Sequence, residues 1–292
     1  HMNKASKIAF LLVAMLMAIG AIVFYVKTIA SPPDELSFSN QYSKELKEDI
    51  GKVKGNITAQ QLDSLYSTIT DALSYQLKEQ LISSADRDAL LDKFVSSYIP
   101  LFLKNSNRVF GLTEWNEDEL RKMKNRVIEL KALRLSDGNK PVLEGDVVDS
   151  INRISKNVDL YFLAKKFADK RYRYNGLNNA QTVIQQAKTY AQTAPLSNCL
   201  SLVGKLNSVG TQIEKSHFNH LERLVDDVES YSSWSKYDEN SYSNFANEVY
   251  SEIEAYKNKT PFYTNHHNTK NLSSRRSAAV KEAHYYYFTS EQ

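Results

Sequence analysis

His217 and His220 stand three residues apart within a segment of helical pattern, so on a helix both imidazoles could reach one metal ion. Glu214, or the His266-His267 pair further along, could complete such a site. The order lacks the His-Glu-x-x-His spacing of zinc hydrolases. Both histidines also fall on an apolar stripe, where hydrogen-bonded core histidines are common. The core reading is preferred, and neither a metal nor any other cofactor is expected.

A second constellation is cationic. Lys165, Lys166, Lys170, Arg171 and Arg173 surround Tyr172 and Tyr174. These side chains could bind a phosphate or another anion. Their position near the carboxyl end of a predicted helix has a simpler physical role, offsetting the helix macrodipole. A third is aromatic: nine of the 18 tyrosines lie from Tyr231 onward, ending in Tyr285-Tyr286-Tyr287-Phe288. Consecutive helical positions point about 100° apart, so the three tyrosines cannot all face one core. At least one should be exposed or covered by a partner, which makes Tyr285, Tyr286, Tyr287 and Phe288 candidate docking residues. No phosphate-cradling glycine loop, Gly-x-Ser-x-Gly elbow or paired-cysteine metal motif occurs, so no enzyme is expected.

The elements that would carry these residues begin with an apolar run. Ile8 to Val26, including Phe10, Leu12, Leu16, Ile22 and Phe24, comprises 19 residues without charge or proline. As a helix it would span about 28 Å, close to the hydrocarbon thickness of a bilayer. Its eleven Leu, Ile, Val and Phe residues favour insertion by about 3–7 kcal/mol. Lys4 and Lys7 precede the run, while Asp34 and Glu35 follow soon after it. The positive-inside rule then leaves the amino terminus in the cytoplasm and the rest of the chain extracytoplasmic, periplasmic in a Gram-negative cell. An uncleaved signal anchor fits this length better than a cleaved signal.

Formal charge is +3, and the first 30 residues carry Lys4, Lys7 and Lys27 without an acid. The remaining 34 basic residues balance all 34 acidic ones. A neutral body lacks the broad positive field of nucleic-acid binding. Only nine glycines and six prolines occur, too few for the many turns of a sheet protein. The single cysteine, Cys199, should be a buried, inert thiol.

The fold class expected is all-α: a single transmembrane anchor followed by an elongated bundle of seven or eight mostly antiparallel helices. Residues 1–30 form the stub and anchor, and 31–57 a linker and approach segment. A first helical segment then covers 58–138 and a second covers 139–264. Residues 265–292 form a polar loop, up to Ser274, and an aromatic terminal helix. Within this body Thr58 to Gln61 reads as a capping box. Ser84 and Thr113 open further helices, and Pro100 should kink or end one. Val147, Ile151, Ile154, Val158 and Tyr161 share a stripe on a helix ending near Asn175-Gly176. The longest element, from Ser197 to Ser233, places Leu206, Val209, Ile213, His217, His220, Leu224 and Val228 at the near-heptad spacing of a coiled coil. The function these features suggest is a membrane-anchored scaffold or adaptor for other envelope or secretion-machinery proteins, with oligomerisation open. A ligand-sensing or solute-binding helical domain is the alternative, and an anchored envelope hydrolase the least favoured.

Overall fold

A computed structural model describes residues 35–258, 263 and 267–289, with side chains from residue 43 onward. The anchor run of 8–26 lies outside them. Among the described residues no helix is long and apolar enough to cross a membrane. These residues form nine α-helices and no strand, so the all-helical class is correct for the described part. The helices are α1 (Glu35–Gly51), α2 (Ala59–Lys78), α3 (Ser84–Phe110), α4 (Glu117–Ala132), α5 (Asp146–Asp169), α6 (Leu177–Gln192), α7 (Leu200–Glu229), α8 (Glu239–Lys257) and α9 (Lys270–Glu282). The ninth, unexpected helix is α1, in the segment read as a linker. Leu46 and Ile50, one turn apart on it, are buried.

The described chain divides into two compact units of interleaved segments. One takes residues up to 105 together with 129–148, and the other takes 106–128 with 149 onward. In the first unit α2 opens on the capping box: Gln61 N–H donates to Thr58 Oγ1 at 3.1 Å and Thr58 N–H to Gln61 Oε1 at 2.9 Å. Its Leu62, Tyr66, Ile69 and Leu73 are buried, and Tyr66 meets Phe94 and Tyr98 of α3 at ring separations of 5.8 and 5.1 Å. The cap of α3 is Ser83 rather than Ser84, its Oγ accepting from Asp86 N–H at 3.1 Å. Pro100 neither ends α3 nor leaves a buried defect. It lies on the exposed side inside the helix, and the Ser96 carbonyl whose donor it removes is on an exposed residue. After α4 the chain turns at Gly138, which has φ +65°. The turn is fixed by the Asp88 carboxylate, whose two oxygens accept the Ser136 N–H at 2.9 Å.

In the second unit Asn116, not Thr113, caps α4, its Oδ1 accepting from Glu119 N–H at 3.1 Å. Helix α5 buries Ile151, Ile154, Val158 and Tyr161 as expected. Val147, in its first turn, is instead 37% exposed. Helix α7 is the hub, packing against α6, α8 and α9. It starts at Leu200, after a 3-10 turn at Leu196–Asn198, and Cys199 before it is buried as expected. Its buried line runs Leu206, Val209, Ile213, His217, Leu221, Val225, Val228. That spacing of threes and fours averages the period of an ordinary α-helix rather than 3.5. Past His217 the line therefore passes through Leu221 and Val225, and His220 and Leu224 stand at its margin, partly buried. Helix α9 begins five residues earlier than the polar-loop reading allowed, because Leu272 is buried in the core it shares with α7 and α8.

Candidate functional site

Three groups of residues carry the chemistry suggested by the sequence, all in the second unit. The first is centred on His217, 2% exposed. Its Nδ1 shares a 2.5 Å hydrogen bond with the Tyr263 hydroxyl. Tyr174 stacks on the ring with centroids 3.9 Å apart and planes 5° from parallel, while Tyr256 meets it edge-on at 5.1 Å. Burial pushes the imidazole down to about 4, and His220 adds to the effect. His220 itself turns to a different partner, its Nε2 lying 3.1 Å from Glu252 Oε2 of α8. His267 is exposed and lies against Phe218 at 4.8 Å, and His266 is outside the described residues. Among the described residues no three His, Cys, Asp or Glu side chains are placed to hold a metal ion. The two histidines are thus engaged by separate partners.

The cationic group is divided between a helix and the chain that follows it. Helix α5 ends at Asp169, and residues 171–176 lie in neither helix nor strand. In that chain side chains alternate: Arg171, Arg173 and Asn175 are exposed, while Tyr172 and Tyr174 turn inward. The Tyr172 hydroxyl donates to the Phe167 carbonyl at 3.0 Å, and the Tyr174 N–H donates to Ser216 Oγ at 2.7 Å. Lys165 pairs with Glu117, Lys170 lies 5.4 Å from the centre of the Tyr172 ring, and Lys166 is exposed. Only Lys165 and Lys166 belong to the last turns of α5. The dipole argument therefore does not extend to Arg171 and Arg173, which lie beyond the helix.

The aromatic group is organised. Residues Ala283–Phe288 extend α9 as one wider, π-helical turn. Two of its four aromatic side chains turn inward. The Tyr287 hydroxyl donates to the Trp234 carbonyl at 2.5 Å and the Ser232 carbonyl at 3.2 Å. Phe288 packs on the buried Tyr242 with ring centres 5.2 Å apart. His284 Nδ1 lies 2.7 Å from Glu239 Oε1 at the start of α8. Between these fixed points Tyr285 and Tyr286 are 74% and 69% exposed, and their rings meet edge-to-face at 4.8 Å. Beside Tyr285 lies a shallow depression of about 840 Å³, lined by Arg276, Ser277, Val280, Lys281, His284 and Thr289.

Sequence reasoning missed Tyr263 and Tyr256 as partners of His217, and Arg276 and Trp234 beside the aromatic end. Tyr263 and His217 are 46 residues apart, and no local pattern announces such a pairing. No family model matches the chain, and no curated protein or solved structure matches it.

Proposed function

We propose that the chain is a helical scaffold that docks partner proteins through its carboxyl-terminal aromatic ridge. The observation that carries this reading is the exposed pair Tyr285 and Tyr286 on a turn whose neighbours Tyr287 and Phe288 are anchored. Tyrosine combines apolar area with a hydroxyl and has few rotors to immobilise, which suits it to interface cores. The buried group around His217 argues against a small-molecule sensor at that place. Tyr174, Tyr256 and Tyr263 are in direct ring contact with the imidazole, which favours a packed core there over a ligand cavity.

The apolar run 8–26 supports a membrane tether, with the helical body on the extracytoplasmic side and other envelope or secretion-machinery proteins as the partners. The test uses the full chain carrying a photo-crosslinking phenylalanine derivative at position 286, irradiated in native membranes. Position 75, a tyrosine 60% exposed in the first unit, serves as control. One defined adduct at 286 and none at 75 is the expected result. Equal, diffuse labelling at both positions would refute the docking role.

A further inference from the structure

The ridge continues into a furrow along α9. Lys270, Ser274, Ser277, Lys281 and Tyr285 follow one another at spacings of three and four, so they share one face of the helix. The depression beside Tyr285 abuts a second one, of about 530 Å³, reaching back to Lys270 and Lys257; Ser277 lines both. From Lys270 to Tyr285 the helix rises about 22 Å, the length of about seven residues of extended peptide.

The charge of this furrow is one-sided. Lys257 is paired with Glu254 and His284 with Glu239. Among the described residues no carboxylate is bonded to Lys270, Arg276 or Lys281. Arg276 is the most telling. Its Nε donates to the Ala246 carbonyl at 2.7 Å and its Nη2 to Asn247 Oδ1 at 3.3 Å, both neutral groups of α8. Its guanidinium lies 5.2 Å from the centre of the half-exposed Tyr250 ring. Burial pulls it below its ordinary value. A half-buried guanidinium held only by neutral acceptors has desolvation to recover, and an incoming carboxylate supplies the missing charge.

We infer that the furrow along α9 takes an acidic peptide segment of a partner protein, with its carboxylates on Arg276 and Lys281 and an apolar or aromatic side chain against Tyr285. This inference rests on the docking function proposed above and gives that partner its chemistry. Arg276 lies along the helix pair rather than projecting from it, which suits a peptide strand better than a flat lipid surface.

The probe is a fluorescein-labelled random copolymer of glutamate and tyrosine, titrated by anisotropy against the full chain in a nonionic detergent. Lys281→Glu and Tyr285→Ser, both at exposed positions, should each weaken binding about tenfold. Lys156→Glu, an exposed charge reversal on α5, should change it less than about twofold. A lysine–tyrosine copolymer should not bind. Equal losses in all three variants would reduce the effect to overall charge and overturn the inference. So would three other outcomes: Lys281-dependent binding to phosphatidylglycerol vesicles without copolymer binding, equal binding of the basic copolymer, or a tenfold gain on removing residues 290–292. The last would assign the furrow to the chain's own tail. An adduct at position 286 that survives Lys281→Glu, with no copolymer binding, would end the acidic-partner inference and leave the docking function standing. Absence of any adduct at 286 removes both.

Discussion

Replacing His217 by glutamine should remove a defined portion of the acid sensitivity of the second unit. The wild-type imidazole falls from an ordinary 6.5 to about 4 on folding. The unfolded chain therefore binds more protons than the folded one between those values, and stability must rise with pH across that window. The contribution is complete above about pH 6.5 and is lost as the medium becomes more acidic. At about 1.4 kcal/mol per pH unit, the loss is about 2 kcal/mol at pH 5 and about 3 kcal/mol at pH 4. The groups around the ring are Tyr174 on the segment after α5, Tyr256 on α8, Tyr263, and His220 on α7 itself, where Glu214 is also buried. Burial pushes the Tyr174 and Tyr256 hydroxyls above their ordinary value, away from this window. Glutamine retains an amide that can reach Tyr263 but cannot take up the proton. Both tryptophans, Trp115 and Trp234, belong to the second unit, so urea unfolding followed by tryptophan fluorescence reports on it. Other groups contribute to acid unfolding in both proteins, and the decisive quantity is the difference in slope. Wild type should lose about 3 kcal/mol more than His217→Gln between pH 8 and pH 4. Parallel pH profiles would refute the claim that this imidazole is buried in its neutral form.

Four further outcomes follow from the geometry. Thr58→Ala removes the reciprocal cap of α2 and should cost the first unit about 1 kcal/mol, read as faster amide exchange over residues 59–63. Asp88→Asn weakens the acceptor that holds the Ser136 N–H and should cost about 1–2 kcal/mol. Burial pushes the Asp88 carboxyl up, but the Ser136 and Asp137 amides and Arg87 together bring it below its ordinary value. The contribution should accordingly be present above about pH 4 and fade below it. Arg275→Gln breaks the pairs with Asp226 and Glu229. These sites are partly exposed, so the loss should stay under about 1 kcal/mol and disappear in 1 M salt. Tyr287→Phe deletes the hydroxyl bonded to the Trp234 and Ser232 carbonyls. It should cost about 1 kcal/mol and raise amide exchange across 283–289 without removing an exposed ring.

Local rules read much of this chain correctly. The Thr58–Gln61 box, the Ile151, Ile154, Val158 and Tyr161 face of α5, and the terminal aromatic helix all follow from local spacing and capping. The errors share one cause, the dependence of burial on distant partners. Helix α1 is too polar to announce itself, and Leu46 and Ile50 make sense only once α2 supplies a surface to cover them. On α7, heptad spacing and true helical spacing agree near Leu206 and drift apart by Leu221. Heptad spacing thus sets His220 on the core line, whereas it stands at the margin facing Glu252. The five cations near residue 170 share a stretch of sequence but not one element, because the chain leaves its helix after Asp169. Arg276 gave no signal at all, since one arginine in a polar helix looks like any other until Ala246 and Asn247 are placed against it.

The strength of the aromatic end as a docking element lies in the division of labour within four consecutive residues. A flexible tail bearing the same tyrosines would lose rotational freedom on binding, about 0.5–1.5 kcal/mol for each side chain immobilised. Here folding has already fixed the backbone on either side of Tyr285 and Tyr286, through His284 on Glu239, Tyr287 on the Trp234 carbonyl and Phe288 on Tyr242. The cost of ordering that backbone is then met within the domain rather than at the interface, so more of the contact energy of each ring is available for affinity. The same reasoning separates the two exposed rings from the other exposed tyrosines. Tyr237 is 88% exposed but stands in the connection between two helices, its own N–H bonded only as far away as Ser235 Oγ, at 3.4 Å. High exposure alone is therefore a poor guide to a binding residue; exposure on an anchored turn, beside cations that no carboxylate of the described residues pairs (Lys270, Arg276 and Lys281), is a better one.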